Sequence, residues 1–178
     1  EQDSVSTRWS DAYPPAHELA IKLHEVVGRV EYIKESSLVT DKEASALFQS
    51  LCRVGGKEGW FHTNWLWRLR GMFDRLLLGV GTSRGRKSQT RLQTNDVIDF
   101  WRVEALKRDR RLLLRAEMKL PGRAWLEFNI SEAEGKRKLT VKAYFDTDSL
   151  AGRLYWSFCY PFHLFIFDNL IKTIEQRS

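Results

Sequence analysis

Cysteine is nearly absent. Only Cys52 and Cys159 occur in 178 residues, they share no short spacing, and neither sits in a metal-ligand or redox pattern. A reducing cytoplasm fits that usage. Apolar runs are short as well: the longest, Leu154 to Phe167, has fourteen residues, below the roughly 20 that a membrane-crossing helix needs. Nothing resembling a signal peptide opens the chain, so secretion has no support. The missing initiator Met before Glu1 leaves room for a piece cut from a longer protein.

Recognisable chemistry is equally scarce. His17, His24, His62 and His163 are scattered without metal-binding spacing, and no G-x-S-x-G elbow presents a nucleophile. The glycines from Gly55 to Gly59 surround Lys57 but lack the GK[ST] ending whose hydroxyl holds magnesium. Gly79-Val80-Gly81 with Gly85 follows a helical pattern, whereas a dinucleotide loop follows a strand and opens a helix. Arg84, Arg86 and Lys87 beside it are candidates only for a loose anion contact. Net charge is +6 and the pI about 9.4, yet the charges are dispersed, as in Arg115, Glu117 and Lys119 alternating along one strand. That is a solvated face, and without a recognition motif no nucleic-acid partner is expected.

What is abundant is aromatic surface, with seven Trp and ten Phe. Rings in such number fill a core or line a cavity. Residues 1–17, with Pro14-Pro15 and little periodicity, read as a linker or extended arm, and 18–178 as one domain. His17 to Val27 suits a short helix or a strand, and Arg29 to Val39 a first strand. Thr40 with Glu43 spells a capping box, which predicts a helix at once. Ala44, Leu47, Phe48 and Leu51 are its buried stripe, Cys52 lies on that face, and Gly55-Gly56 ends it. A second amphipathic helix is expected from Thr63 to Val80, then a Gly, Ser and Arg-rich loop.

The period then changes to two. Leu112, Leu114, Ala116 and Met118 form one apolar row. Ala124, Leu126, Phe128 and Ile130 form a second, and Leu139, Val141, Ala143 and Phe145 a third. Pro121-Gly122 and Glu134-Gly135-Lys136 supply turns. Val97 to Leu106 reads as one strand covered on both faces. Leu150 to Ile174 reads as a long aromatic helix, with a kink expected at Pro161. Strands followed by one such helix predict an α+β fold, a curved antiparallel sheet wrapped around the C-terminal helix, with two short helices after the first strand.

The order resembles the helix-grip fold of the START and polyketide-cyclase-like superfamily. The segments KEGWFHTNWLWRLRG from Lys57, GVGTSRGRKS from Gly79, NDVIDFWRVE from Asn95, LLLRAEMKLPGRAWLEF from Leu112 and GRLYWSFCYPFHLFIF from Gly152 are more distinctive. They resemble a bacterial family of unknown function, found C-terminal to NAD(P)-binding domains in proteins named nucleoside-diphosphate-sugar epimerases or short-chain-type oxidoreductases. That resemblance implies that any NAD or NADP site lies upstream of Glu1, and that this chain carries no cofactor of its own. It has no Tyr-x-x-x-Lys pair and no strand-led glycine fingerprint.

The expected function is therefore an accessory module holding a small apolar or amphipathic ligand between sheet and C-terminal helix. Trp101, Met118, Phe128, Phe145 and Tyr160 are the candidate wall residues, with Arg102 and Glu117 as polar anchors. Glu117 and Met118 point to opposite sides of one strand, so at most one lines the same cavity without a bulge. Two alternatives stand beside it. One is a cyclase or hydrolase using Glu117 or Asp99 as base, although cross-strand pairs explain Asp99, Arg102, Glu117 and Glu127 more simply. The other is an interaction domain docking on its N-terminal partner or peripherally on a membrane, where Phe162, Phe165 and Phe167 suit an interface.

Overall fold

The computed structural model describes residues 21–55, 91–117 and 120–178. Their elements are α1 (Leu23–Val26), β1 (Tyr32–Thr40), α2 (Ala44–Leu51), β2 (Val97–Ile98), β3 (Trp101–Lys107), β4 (Arg111–Ala116), β5 (Arg123–Ala133), β6 (Lys136–Asp146) and α3 (Leu150–Gln176). The six strands form one antiparallel sheet in the order β1-β6-β5-β4-β3-β2. α3 lies against the β1-β6 side of it. A single long helix gripped by an antiparallel sheet is the helix-grip arrangement expected above. No described helix is long and apolar enough to cross a membrane.

Alternation along the strands sorts residues onto two faces. Leu112, Leu114, Leu126, Phe128, Val141 and Phe145 turn towards α2 and α3 and form the main core. The opposite face carries a smaller cluster, in which Leu23 and Val26 of α1 cover Leu113, Trp125 and Tyr144. A bulge between Val103 and Ala105 inserts Glu104 into β3, which bends the strand and re-aims the extra side chain. Its carboxylate accepts the Trp125 indole N–H at 3.1 Å and the Leu23 backbone N–H at 2.9 Å, so it holds the start of α1 onto this face.

The turns follow their residue types. Glu134 and Gly135 both take positive φ, 51° and 78°, between Ala133 and its partner Lys136, as a tight two-residue hairpin requires. Two expectations are corrected. Val97 to Leu106 is a hairpin of β2 and β3 rather than one strand, because Asp99 adopts φ 54° and folds Trp101 back onto Ile98. Nor does the capping box form. Glu43 is the N-cap without a side-chain bond, while the Thr40 hydroxyl accepts from Lys42 N at 3.3 Å and donates to Glu175 at 2.8 Å. A tertiary carboxylate outcompetes the local cap. α2 starts at Ala44 all the same, driven by its buried Leu47, Phe48 and Leu51. The helix expected from Thr63 and the arm of residues 1–17 lie outside the described residues.

α3 is fastened at both ends. At its start the Ser149 hydroxyl accepts from Gly152 N at 3.0 Å and donates to the Pro121 carbonyl at 3.2 Å, beside the Thr147 hydroxyl on the same carbonyl at 2.6 Å. Gly152 is needed there, since a Cβ would stand 2.4 Å from the Pro121 carbonyl oxygen and 2.0 Å from the Thr147 hydroxyl. At its far end Thr40 holds Glu175, the Lys42 ammonium donates to the Ser178 carbonyl at 2.9 Å, and Ser36 donates to Asp168. The helix continues through Pro161 as one element.

Candidate functional site

Three of the cross-strand rows that face α3 lie ahead of the Leu38, Leu139 and Ile130 row near its C-terminal end. The first is Tyr32, Phe145 and Ala124, and the last is Ser36, Val141, Phe128 and Leu112. Between them runs Lys34, Ala143, Leu126, Leu114 and Val103. On the two strands beneath α3, β1 and β6, this middle row offers only a flexible cation and a methyl group, while Leu126, Leu114 and Val103 continue it as core. The first row meets the helix at Trp156, whose ring stacks on Phe145 at 5.7 Å and 10° and tilts against Tyr32 at 5.7 Å. The last row meets it through the Ser36–Asp168 bond.

The span of α3 above the middle row is its least buried part, with only Cys159 and His163 half-buried. From Ser157 to Phe165 no residue is buried, whereas Trp156 before it and Ile166, Phe167, Leu170, Ile171 and Ile174 after it are. Tyr160, 42% exposed, and His163, half-buried, continue the Trp156 stripe along this span. Tyr160 lies 6.4 Å from the Trp156 ring, and His163 bridges Trp156 at 5.0 Å and Phe167 at 5.2 Å. Pro161 stands at the centre, so the helix forgoes the backbone bond its N–H would have donated to Ser157. α3 is thus anchored at both ends and least buried between them, above the Lys34–Ala143 pair.

The residues singled out from the sequence divide between two faces. Trp101, Phe128 and Phe145 belong to the core on the α3 side, and Tyr160 lies on α3 itself. Arg102 and Glu117 turn to the other face, with Arg115 and Trp125. They pair there: Arg102 Nε donates to Glu117 Oε1 at 2.5 Å and Nη2 to Oε2 at 3.1 Å, while Arg115 Nη2 reaches Oε1 at 3.3 Å. Arg102 also donates to the Asn95 carbonyl at 3.0 Å. Both oxygens of Glu117 are thus engaged. Met118 lies outside the described residues, and among those residues no cluster of metal ligands occurs.

Lys34, Ala143, Trp156 and His163 were not among the residues picked from the sequence. Signals for them existed. Trp156, Tyr160, His163 and Phe167 recur at i, i+4, i+7 and i+11, one helix face, and Lys34 falls on the same side of β1 as Tyr32 and Leu38.

A second polar group sits on the outer face. Arg111 Nε donates to Glu127 Oε1 at 2.5 Å and the Tyr144 hydroxyl to Oε2 at 2.7 Å. Burial alone would raise the Glu127 carboxyl, but the Tyr144 hydroxyl and then the Arg111 guanidinium hold it below its ordinary value of 4.5. Burial, and then the Glu127 carboxylate, push the Tyr144 phenol well above its ordinary range, so it stays a donor. A carboxyl depressed by folding stabilises the protein fully above its unfolded pKa, and that contribution is lost as pH falls through the folded value. Urea midpoints taken from about pH 6 to about pH 3 are therefore expected to fall more steeply for the wild type than for Glu127→Gln. Parallel profiles would remove Glu127 from the acid response.

The model of the protein of unknown function DUF2867 matches residues 26–170. The chain belongs to that family. No curated protein matches it. Among solved structures it is similar to protein MLL2253 from Mesorhizobium loti, at 10% identity, over 83% of this chain and 98% of that one, with TM-score 0.46. It is also similar to protein CV1439 from Chromobacterium violaceum, at 10% identity over 80% and 96% with TM-score 0.41. A third likeness is to CalU16 from Micromonospora echinospora, at 10% identity over 82% of each chain with TM-score 0.39. The architecture stands on the chain's own strand order and helix placement.

Proposed function

We propose that this DUF2867 domain binds a small amphipathic molecule between the sheet and the middle of α3. The observation that carries the reading is the unburied span from Ser157 to Phe165, above the Lys34–Ala143 pair. Phe145 and Trp156 close one end of that space, Phe128 lies at the other, and Tyr160 and His163 form its roof. The sequence resemblance adds a context: the domain serves an NAD(P)-binding oxidoreductase or epimerase domain upstream in its parent chain, holding a molecule for it.

Filling the space tests the reading. Trp emission titrated with fatty acids, quinones and polyketide-like aromatics is expected to respond in the wild type. Ala143→Phe, whose ring would enter the same space, is expected to abolish the response while keeping the fold. Were the space already solid, overpacking would instead cost the variant about 1–3 kcal/mol. A flat wild-type titration would end the proposal.

A docking role is favoured by a separate observation. Leu150, Leu154, Phe158, Phe162 and Phe165 recur at helical spacing and are all exposed, with Phe158 and Phe162 in ring contact at 5.8 Å. This outward stripe faces away from the guest site, so both roles fit one helix.

A further inference from the structure

We infer that Lys34 selects the ligand's chemistry, and that the guest carries a carboxylate on an apolar body. The inference rests on the ligand-binding reading above and narrows it. Lys34 is half-buried and faces the helix side of β1, between Tyr32, which touches Trp156, and Ser36, which holds Asp168. Among the described residues it makes no hydrogen bond or ion pair, unlike the cations of the outer face, where Arg102, Arg111 and Lys142 each meet a carboxylate. Asp168, the acid on the facing helix, accepts from the Ser36 hydroxyl and forms no ion pair with Lys34. The other polar groups at the roof, Tyr160 and His163, offer no carboxylate.

A half-buried ammonium with no anion beside it is open to one that arrives. A carboxylate entering beneath α3 completes it with a charge-assisted hydrogen bond, about twice as strong as a neutral one. Towards the sheet centre the walls are the Phe145, Trp156 and Phe128 rings, which suit an apolar body. Its acid end points to β1, the sheet edge, and its body lies over Ala143 and Leu126 towards the sheet centre. The competing explanation for an inward lysine on an edge strand is protection against edge-to-edge pairing. That role needs charge but no ligand.

Matched probes separate the two. Dodecanoate and dodecanol share a chain, as do 1-naphthoate and 1-naphthalenemethanol; each is titrated into the wild type, Lys34→Met and Lys34→Arg, and read by Trp emission and calorimetry. In the wild type each acid is expected to bind about tenfold tighter than its alcohol, the ratio one charge-assisted bond supplies. Lys34→Met is expected to erase that ratio while leaving the alcohols unchanged, and Lys34→Arg to keep most of it. Equal affinity for acid and alcohol in the wild type overturns the role of Lys34 but leaves the guest site standing. Self-association of Lys34→Met with the acid preference intact overturns it in favour of edge protection. If none of the four probes binds, the guest site itself falls.

Discussion

Glu117→Ala is expected to be among the most destabilising single changes in the protein. The Glu117 side chain is fully enclosed and that of Arg102 only 5% exposed, and the two share a bidentate pair with Arg115 as a third member. Removing one partner of a buried pair costs about 3–5 kcal/mol, because the other charge stays in place without its counter-ion. At about 2–4 °C per kcal/mol for a chain of this size, the thermal midpoint should drop by roughly 6–20 °C. Arg102→Met should cost less, since Arg115 remains at 3.3 Å to hold the carboxylate. Joining Arg102→Met to Glu117→Leu should recover much of the loss, as apolar replacements of buried pairs do. Urea melts of the four proteins decide this. A Glu117→Ala variant within about 1 kcal/mol of wild type, or one milder than Arg102→Met, would show that the pair does not hold the outer face together.

Phe145→Ala carries a comparable penalty for a different reason. The ring is 1% exposed and touches Trp156, Tyr155 at 5.6 Å and Tyr32 at 6.3 Å, so its loss opens a hole where three aromatic neighbours meet. Phe→Ala in a core costs about 3–5 kcal/mol. Phe128→Ala, equally enclosed, should match it in stability. The two should differ in near-ultraviolet circular dichroism, which reads packed rings. Phe145→Ala is expected to lose most of that signal because it frees the N-terminal fastening of α3, and Phe128→Ala to keep most of it. Equal spectra would mean that Phe145 does not fasten the helix.

Much of the fold was legible because its signals are local and periodic. Leu126, Phe128 and Ile130, or Leu139, Val141 and Phe145, alternate over enough residues that only a strand explains them, and all of them are buried on one face. The Glu134-Gly135 turn needed no more than two residues to declare itself. Failure came where a distant partner decides. Glu175, 135 residues from Thr40, takes the hydroxyl that would have capped α2. The φ of Asp99 splits a segment whose composition reads as one strand.

The site was harder to read for a related reason. Arg102 and Glu117 look like anchors in any pocket until the register shows which face they share with Trp125. Ala143 is one small residue in an apolar row, and nothing marks it until Lys34 is found opposite. The proposed guest site depends on what a row fails to fill, and sequence patterns record what is present.

Pro161 gives this helix a mechanical character of its own. A rod whose internal ladder lacks one rung at mid-length, with both tips tied down, flexes at that rung before either tip lets go. The guest proposed above would then enter and leave by a bow in the rod, with no unfastening of the fold, and its rate of exchange would follow the stiffness around a single ring nitrogen.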